Sequence, residues 1–426
     1  VPYPPHDGDK LRLYYFLKYL KSKGHKIDLF CLTRVKEDLV HAESLRPLCR
    51  SIHVQHLTDL DLFFNVLAGF AVGESLNVMS YFSPELREKL KEYAASDAGK
   101  KIDVIFCHRL RMVPYAFRYY LKYVNRLMLP AHRARKIEID IDESLALAKK
   151  PVVVDLTDSL ISYTGQLKKQ KSARFSRRTA AWSDHFFLKK EEVEWSGMTA
   201  KAIVVAQPDA DVLMTNGLAK NKVTVIPNGV DLKSLYIKGK SVYPAKAKVV
   251  CFVGNMGYAP NEEGALWFIK NVWPQVKAAV PEAVFAAVGG TPRKVLREYH
   301  NGYDLLVTGW VPHVEPYLLG AQLSIAPLRF AGGMQNKVAL SLGLAVPVVA
   351  TSAATGWLPK ASRSLVNVAD DANGFADEVI AILKNPKKAK AQAAKGKKFV
   401  SKNYQWNVAG KQLEEVLRKA AGKGWS

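Results

Sequence analysis

The chain is short of cysteine, of acidic residues and of long apolar runs, and each shortage excludes something. Only four cysteines occur in 426 residues: Cys31, Cys49, Cys107 and Cys251. No two form a Cys-x-x-Cys pair, and no Cys/His cluster has the spacing of zinc ligands, which excludes the familiar zinc modules. Three of the four lie in short apolar runs, the setting of buried free thiols in a reducing compartment, so a cytoplasmic location is expected. No apolar run approaches the ~20 residues needed to span a bilayer. No secretory signal pattern is present either. The chain opens at Val1-Pro2-Tyr3-Pro4-Pro5, with no room for a strand before the proline-rich turn. A first strand of the natural protein is therefore expected to be missing from this sequence. No short-period repeat is visible.

The scarcity of acid is the strongest bias. Asp and Glu number 39 against 62 Lys and Arg, a formal net charge of +23. Such a surplus calls for a polyanion: nucleic acid, anionic lipid headgroups or a phosphorylated substrate. Hydrophobic residues make up 48% of the chain, too many for a disordered polycation.

What the chain does have is alternation. Short apolar runs alternate with helical patterns, the mark of βαβ units and a parallel sheet. Residues 10–23 carry Leu13, Phe16, Leu17 and Leu20 at helical spacing before Gly24. Strands are expected at 27–32, 52–54, 104–107, 152–156, 202–205 and 223–226, then at 248–253, 284–288, 305–308, 323–327 and 346–351. Helices are expected at 265–276, 336–344 and 408–420. The fold class is thus α/β, with two Rossmann-like, doubly wound parallel-sheet domains. The first domain is expected over 1–227, a linker over 228–247 and a second domain over 248–403. Residues 404–426 are expected to form a final helix that packs back on the first domain.

The most informative segment is Ala326-Pro327-Leu328-Arg329-Phe330-Ala331-Gly332-Gly333-Met334-Gln335-Asn336-Lys337. It reads as a strand, a glycine-bearing loop and a helix start. Gly332 and Gly333 allow close approach of the backbone to a ligand. The helix N-terminus offers free N–H groups to a phosphate, and Arg329 and Lys337 add positive charge close by. An ordinary βα loop is the plainer reading of two glycines; the two cations favour a diphosphate site.

These residues resemble the donor-binding region of GT-B glycosyltransferases, specifically glycosyltransferase family 4. One branch carries a stretch similar to APLR-x-G-x-G-x-QNK followed by G-x-PVVAT, and this chain continues with Pro347-Val348-Val349-Ala350-Thr351. Pro4-Pro5-His6-Asp7-Gly8-Asp9-Lys10 resembles the family's N-terminal loop. Ile226-Pro227-Asn228-Gly229-Val230-Asp231 resembles its inter-domain crossing. Phe252-Val253-Gly254-Asn255-Met256 and Gly309-Trp310-Val311 resemble loops of its donor domain.

The resemblance implies two Rossmann-like domains facing a central cleft and transfer of a sugar from a nucleoside diphosphate sugar to an acceptor hydroxyl, with retention and no required metal. It implies no tightly bound cofactor, the UDP- or GDP-sugar being the substrate. It implies that Gly8, Asp9 and Lys10 shape the loop near the donor phosphates. Arg329, Gly332, Gly333, Gln335, Asn336 and Lys337 would surround the diphosphate, Trp310 and Val311 would meet the base, and Gly254 and Asn255 would line the floor.

Two departures stand out. Most members carry a Glu for the donor ribose where this chain has Leu340, and a helix-ending Gly where it has Ala345. A Leu accepts no hydrogen bond, which opens the alternative of a non-catalytic binding or scaffold homologue. The His that many members carry after the strand matched by 152–156 is also absent; Asp155, Asp158 and Ser159 follow there instead. Asp155 and Asp158 could face a ligand at the strand end, or Asp158 or Ser159 could cap the next helix. His108 ends another strand, with an acceptor-binding role or a structural one.

Basic clusters at 168–178 and 384–402 read either as solvated faces or as an anionic-membrane contact. The apolar run 63–72 reads either as a packed helix or as an interfacial one. An interfacial helix would place the protein on the inner face of the plasma membrane, with a glycan or lipid-linked acceptor. The spacing of Asp140 and Asp142 is that of a DxD metal motif in a different context. A nucleic-acid-modifying transferase is a further alternative carried by charge alone, since no nucleic-acid motif is present.

Overall fold

The computed structural model describes residues 1–5, 8–72, 75–117, 150–169, 175–232, 242–244 and 246–422. By their contacts these residues form two compact units. One comprises Val1–Pro227 with Ala409–Ser426, and the other comprises Asn228–Val408. The pair Asp140 and Asp142, the loop residues His6 and Asp7, and most of the cluster 168–178 lie outside the described residues or side chains.

In the first unit, α1 (Gly8–Ser22) buries Arg12, Phe16, Leu17 and Leu20, the expected stripe with a charged residue added. Strands β1 (Asp28–Thr33) and β2 (Ser51–His56) form a parallel pair. A separate four-stranded parallel sheet runs in the order β3 (Ile105–His108), β4 (Val152–Thr157), β5 (Lys201–Val204), β6 (Val223–Val225). All six residues of β4 are buried, the polar Asp155 and Thr157 among them.

Helices α2 (Asp59–Val72), α3 (Leu160–Lys169), α4 (Phe175–Met198) and α5 (Gln207–Thr215) also belong to this unit. The first turn of α3 is held from α4. Glu192 accepts the N–H groups of Leu160 and Ile161 at 2.8 and 3.1 Å and the hydroxyl of Ser159 at 2.9 Å. Burial pushes its carboxyl up to about 7 despite those donors.

The second unit is a six-stranded parallel sheet in the order β12-β11-β10-β7-β8-β9. Its strands are β7 (Lys248–Val253), β8 (Ala283–Val288), β9 (Leu305–Val307), β10 (Leu323–Ala326), β11 (Val348–Ala350) and β12 (Asn367–Val368). The helix expected at 265–276 starts earlier, as α6 (Ala259–Trp267). A π turn over Phe268–Val272 then leads into α7 (Trp273–Ala279). Pro274 explains the break, since it donates no N–H to the preceding turn. Trp267, Phe268, Trp273 and Phe285 form an aromatic layer with Phe375.

Three more helices follow in this unit: α8 (Asn336–Gly343), α9 (Ala372–Lys384) and α10 (Lys387–Asn403). The basic run 384–402 is largely α10. Its Ala389, Ala393, Gly396 and Val400 are buried while its lysines are exposed, so small residues make the seat and the charge faces solvent. Tyr243, within the expected linker, is buried against Val249 and Cys251 of this unit.

The last helix, α11 (Trp406–Ala421), spans the two sets of residues, and from Ala409 onward it belongs to the first unit. Glu414 takes hydrogen bonds from His25 Nε2 at 2.9 Å and from the Tyr19 hydroxyl at 3.3 Å. No described helix is long and apolar enough to cross a membrane. All four cysteines are buried and unpaired.

Helix α8 ends in a Schellman arrangement: the Val346 N–H bonds Ser341 O at 2.9 Å and the Ala345 N–H bonds Leu342 O at 3.0 Å. That geometry requires a left-handed residue, and Ala345 adopts φ +59. A side chain in this region costs roughly 1 kcal/mol or more. The variant Ala345→Gly is therefore expected to raise stability by about 1 kcal/mol, measured by denaturant unfolding. A loss of stability would show that the left-handed turn is not adopted.

Candidate active site

In the second unit the strand order reverses between β7 and β10, whose residues pair directly (Leu323 with Val250, Ser324 with Cys251). Open parallel sheets bind ligands beyond the carboxyl ends of the strands at such a reversal. Gly254 and Asn255 leave β7 there, and the segment 327–337 leaves β10. A side chain on Gly254 would meet Asn261 Nδ2 at 2.7 Å and would displace that amide. Asn261 in turn donates to Asn255 O at 2.8 Å. The Asn255 side chain is occupied within its own loop, accepting from Gly257 N–H at 3.0 Å and from the Thr291 hydroxyl.

Gly333 turns the chain into α8 with φ +62. Gln335 Nε2 donates to Gly332 O at 3.0 Å, and Gln335 Oε1 accepts from Lys337 Nζ at 3.1 Å. The Lys337 amine lies 5.9 Å from the ring centre of Phe252. Burial pulls it down to about 8, because it is stripped of water while its hydrogen-bond partner among the described residues is a neutral amide. Asn336 Oδ1 accepts from Asn228 Nδ2 at 3.0 Å.

Arg329 is placed differently from Lys337. Its side chain is exposed, donates to Asp370 O at 2.7 Å and lies 4.9 Å over the ring of Trp267. Trp310 is 64% exposed beyond Gly309, whereas Val311 packs into the sheet core. Leu340 packs on the same apolar cluster as Val249, Cys251 and Val346, which accounts for a Leu at that position.

The first unit brings together a second set of residues, at the carboxyl ends of β3 and β4. Asp155, one of the two carboxylates that could face a ligand at this strand end, is fully buried. Arg12, also fully buried, grips it through Nε at 2.7 Å and Nη2 at 2.9 Å and donates from Nη1 to Ile226 O at 2.9 Å. His108 Nδ1 lies 3.0 Å from Asp155 Oδ2, and among the described residues its buried Nε2 has no hydrogen-bond partner. Burial alone would raise the Asp155 carboxyl, but Arg12 and His108 hold it well below the usual carboxylate range.

Beside this set, Arg109 pairs with Asp9, donates to Asp158 Oδ1 at 2.7 Å and to Leu156 O at 3.2 Å. Arg109 and Thr157 both have positive φ, 76 and 71. Each such residue costs on the order of 1–3 kcal/mol and persists only where its surroundings fix it. Here the Arg109 N–H bonds Asp155 O at 2.7 Å and its guanidinium is paired on both sides.

Asp158 is thus an ion-pair partner, and Ser159 is the helix cap, accepting from Ser162 N–H at 3.2 Å. Asp9 sits at the start of α1, and Lys10 reaches Asp38 at 3.1 Å, so both tie α1 down, with Gly8 as its first residue. Burial opposes ionisation of Asp9, yet Arg109 holds its carboxyl below the usual range. Reading the sequence missed Arg12. Its signal is a charged residue one turn before Phe16 in an apolar stripe, and its guanidinium lies 4.6 Å over that ring.

The family model of Glycosyltransferase Family 4 matches residues 10–234, more than half of the chain. The chain belongs to that family. A second family model, Glycosyl transferases group 1, matches residues 247–385 of this family 4 glycosyltransferase. Among solved structures, sucrose-phosphate synthase from Thermosynechococcus elongatus is similar at a TM-score of 0.67 and 17% identity, over 97% of this chain and 93% of the other. Anabaena HepE in complex with UDP and glucose is similar at 0.65 and 13%, over 96% of each chain. These likenesses show the GT-B fold, with its two Rossmann-like domains. A relative described as an uncharacterized 44.6 kDa protein in the cps region of Klebsiella pneumoniae is 20% identical over 412 residues, 95% of this chain and 94% of its own.

Proposed function

We propose that this family 4 transferase moves a hexosyl group from a UDP- or GDP-sugar to an acceptor hydroxyl, with retention and without a metal. The observation that carries the reading is Lys337: a half-buried amine at the start of a helix, behind a left-handed glycine, whose hydrogen-bond partner among the described residues is a neutral amide. A diphosphate supplies the counter-charge such a group lacks, and the free N–H groups of α8 add to it. The same charges would stabilise the diphosphate as it leaves. Arg329 adds positive charge from the outside of the same loop, Gly332 and Gly333 admit the phosphates, and exposed Trp310 offers a face to the base. In the first unit, His108 Nε2 is the group able to meet a sugar hydroxyl, while Asp158 acts through Arg109.

HepE crystallised with UDP and glucose supports a UDP-sugar donor, and the relative from a cps region supports a role in polysaccharide or lipid-linked glycan assembly. A lipid-linked acceptor is further supported by α2, where Leu60, Phe63, Phe64 and Leu67 are all more than half exposed at helical spacing. Ala68 of the same helix packs on the core and Asn65 is buried.

Calorimetry with UDP-, GDP-, ADP- and dTDP-sugars tests the reading. Saturable binding of one series is expected, and no binding at millimolar donor would sink it. A second reading is favoured by one observation: Leu340 is committed to the core and offers no acceptor to a ribose. On that reading the chain binds a nucleotide sugar without turning it over, and binding with no product from any donor would select it.

A further inference from the structure

Arg12, Asp155 and His108 form a chain in the first unit whose last atom, the buried His108 Nε2, has no partner among the described residues. Arg12 and Asp155 are both fully buried and joined by two hydrogen bonds at 2.7 and 2.9 Å. Asp155 Oδ2 also meets His108 Nδ1 at 3.0 Å. These groups come from three different elements, α1, β4 and β3, and Asp155 and His108 are register partners across the β3–β4 pair. A third guanidinium bond, from Arg12 Nη1 to Ile226 O, fixes Arg12 to the end of the sheet as well.

The chemistry of the pairing decides the imidazole's state. An ionised carboxylate only accepts hydrogen bonds, so the His108 nitrogen facing it carries the proton. In the neutral ring the other nitrogen, Nε2, is then a bare acceptor. That atom is buried and unpartnered among the described residues, at the carboxyl end of a strand next to two residues of positive φ. A buried acceptor left bare in this way is costly unless a ligand satisfies it.

We propose that Arg12 and Asp155 are positioning residues for His108, holding its imidazole as the Nδ1–H tautomer so that Nε2 accepts a hydrogen bond from a sugar hydroxyl. The proposal rests on the transferase reading for the identity of the ligand, but not for the state of the ring. Arg12 touches no substrate. It keeps Asp155 ionised and oriented, and Asp155 keeps the ring oriented, as outer partners do for other imidazoles. The hydroxyl belongs either to the donor sugar or to the acceptor.

Two measurements test this. In protein labelled with 15N-histidine at pH 8.5, with His108 assigned by its loss in His108→Gln, the expected spectrum is the Nδ1–H tautomer. Arg12→Lys keeps the charge but loses the two-point grip, and it is expected to give a mixture of tautomers. An Nε2–H tautomer in the wild type, or an unchanged tautomer in folded Arg12→Lys, overturns the positioning role. This arm needs no activity, so it stands or falls separately from the transferase reading.

In the second measurement, His108→Phe is expected to lower turnover about 10- to 100-fold, the loss of one buried hydrogen bond. His108→Gln, which can place an amide oxygen near Nε2, is expected to recover part of it. If His108→Phe weakens binding of the nucleotide sugar but not of the free nucleotide, the hydroxyl is the donor's. If neither changes while turnover falls, it is the acceptor's. Wild-type turnover in His108→Phe overturns the hydroxyl contact.

Discussion

Replacing Lys337 by methionine is expected to weaken nucleotide-sugar binding about 10- to 100-fold, the value of one or two charge-assisted hydrogen bonds to phosphate. The fold should tolerate the change, because the half-buried amine has no carboxylate partner among the described residues and methionine matches its apolar stem. The effect should fall on the free nucleoside diphosphate as strongly as on the sugar conjugate, since the lost contact is to phosphate. The same residue predicts a pH dependence. Only the protonated amine attracts phosphate, and burial sets its pKa at about 8 in the free protein. Affinity should therefore fall as pH rises through about 8 and upward, and the wild-type slope should vanish in Lys337→Met. Titration calorimetry at several pH values reads both. An unchanged affinity in the variant would remove Lys337 from the donor site.

The second large effect is on stability. Asp155→Ala leaves the Arg12 guanidinium fully buried without its carboxylate, and breaking such a pair from one side costs about 3–5 kcal/mol. Denaturant unfolding should show a loss of that size in the first unit. The double variant Arg12→Met with Asp155→Ala should recover much of it, because no uncompensated charge then remains. The pH dependence follows from the direction of the shift. The folded carboxyl lies below its unfolded value, so the pair's stabilisation is present above about pH 4 and is lost as pH falls through the folded value. The wild type should lose stability on acidification more steeply than the double variant. Equal acid sensitivity would show that Asp155 is not held ionised by Arg12.

Much of this was legible in the sequence where local pattern and final structure coincide. The βαβ alternation located eleven of the twelve described strands, because short apolar runs bounded by polar and turn residues recur between helical patterns. The loop 327–337 was visible because its glycine, amide and lysine types are unusual together. What escaped depended on partners far along the chain. Arg12 looked like one more surface cation in a basic chain, and only its 143-residue partnership with Asp155 explains its burial. The buried acid Glu192 was equally silent, because a helix cap supplied from another helix leaves no mark at the cap itself. Asp155 and Asp158 were both legible at this strand end, but which of the two Arg12 grips was not, since a partner 143 residues away leaves no local mark. In the run 384–402 the lysines do form a solvated face, and the small residues between them seat the helix.

The central claim is that the second unit holds the donor's diphosphate at the start of α8. A crystal structure with a bound UDP- or GDP-sugar tests it most directly. The diphosphate is expected against Lys337 Nζ and the backbone amides that open α8, with the ribose held by groups other than Leu340. A diphosphate bound elsewhere, with Lys337 still on Gln335, would contradict it.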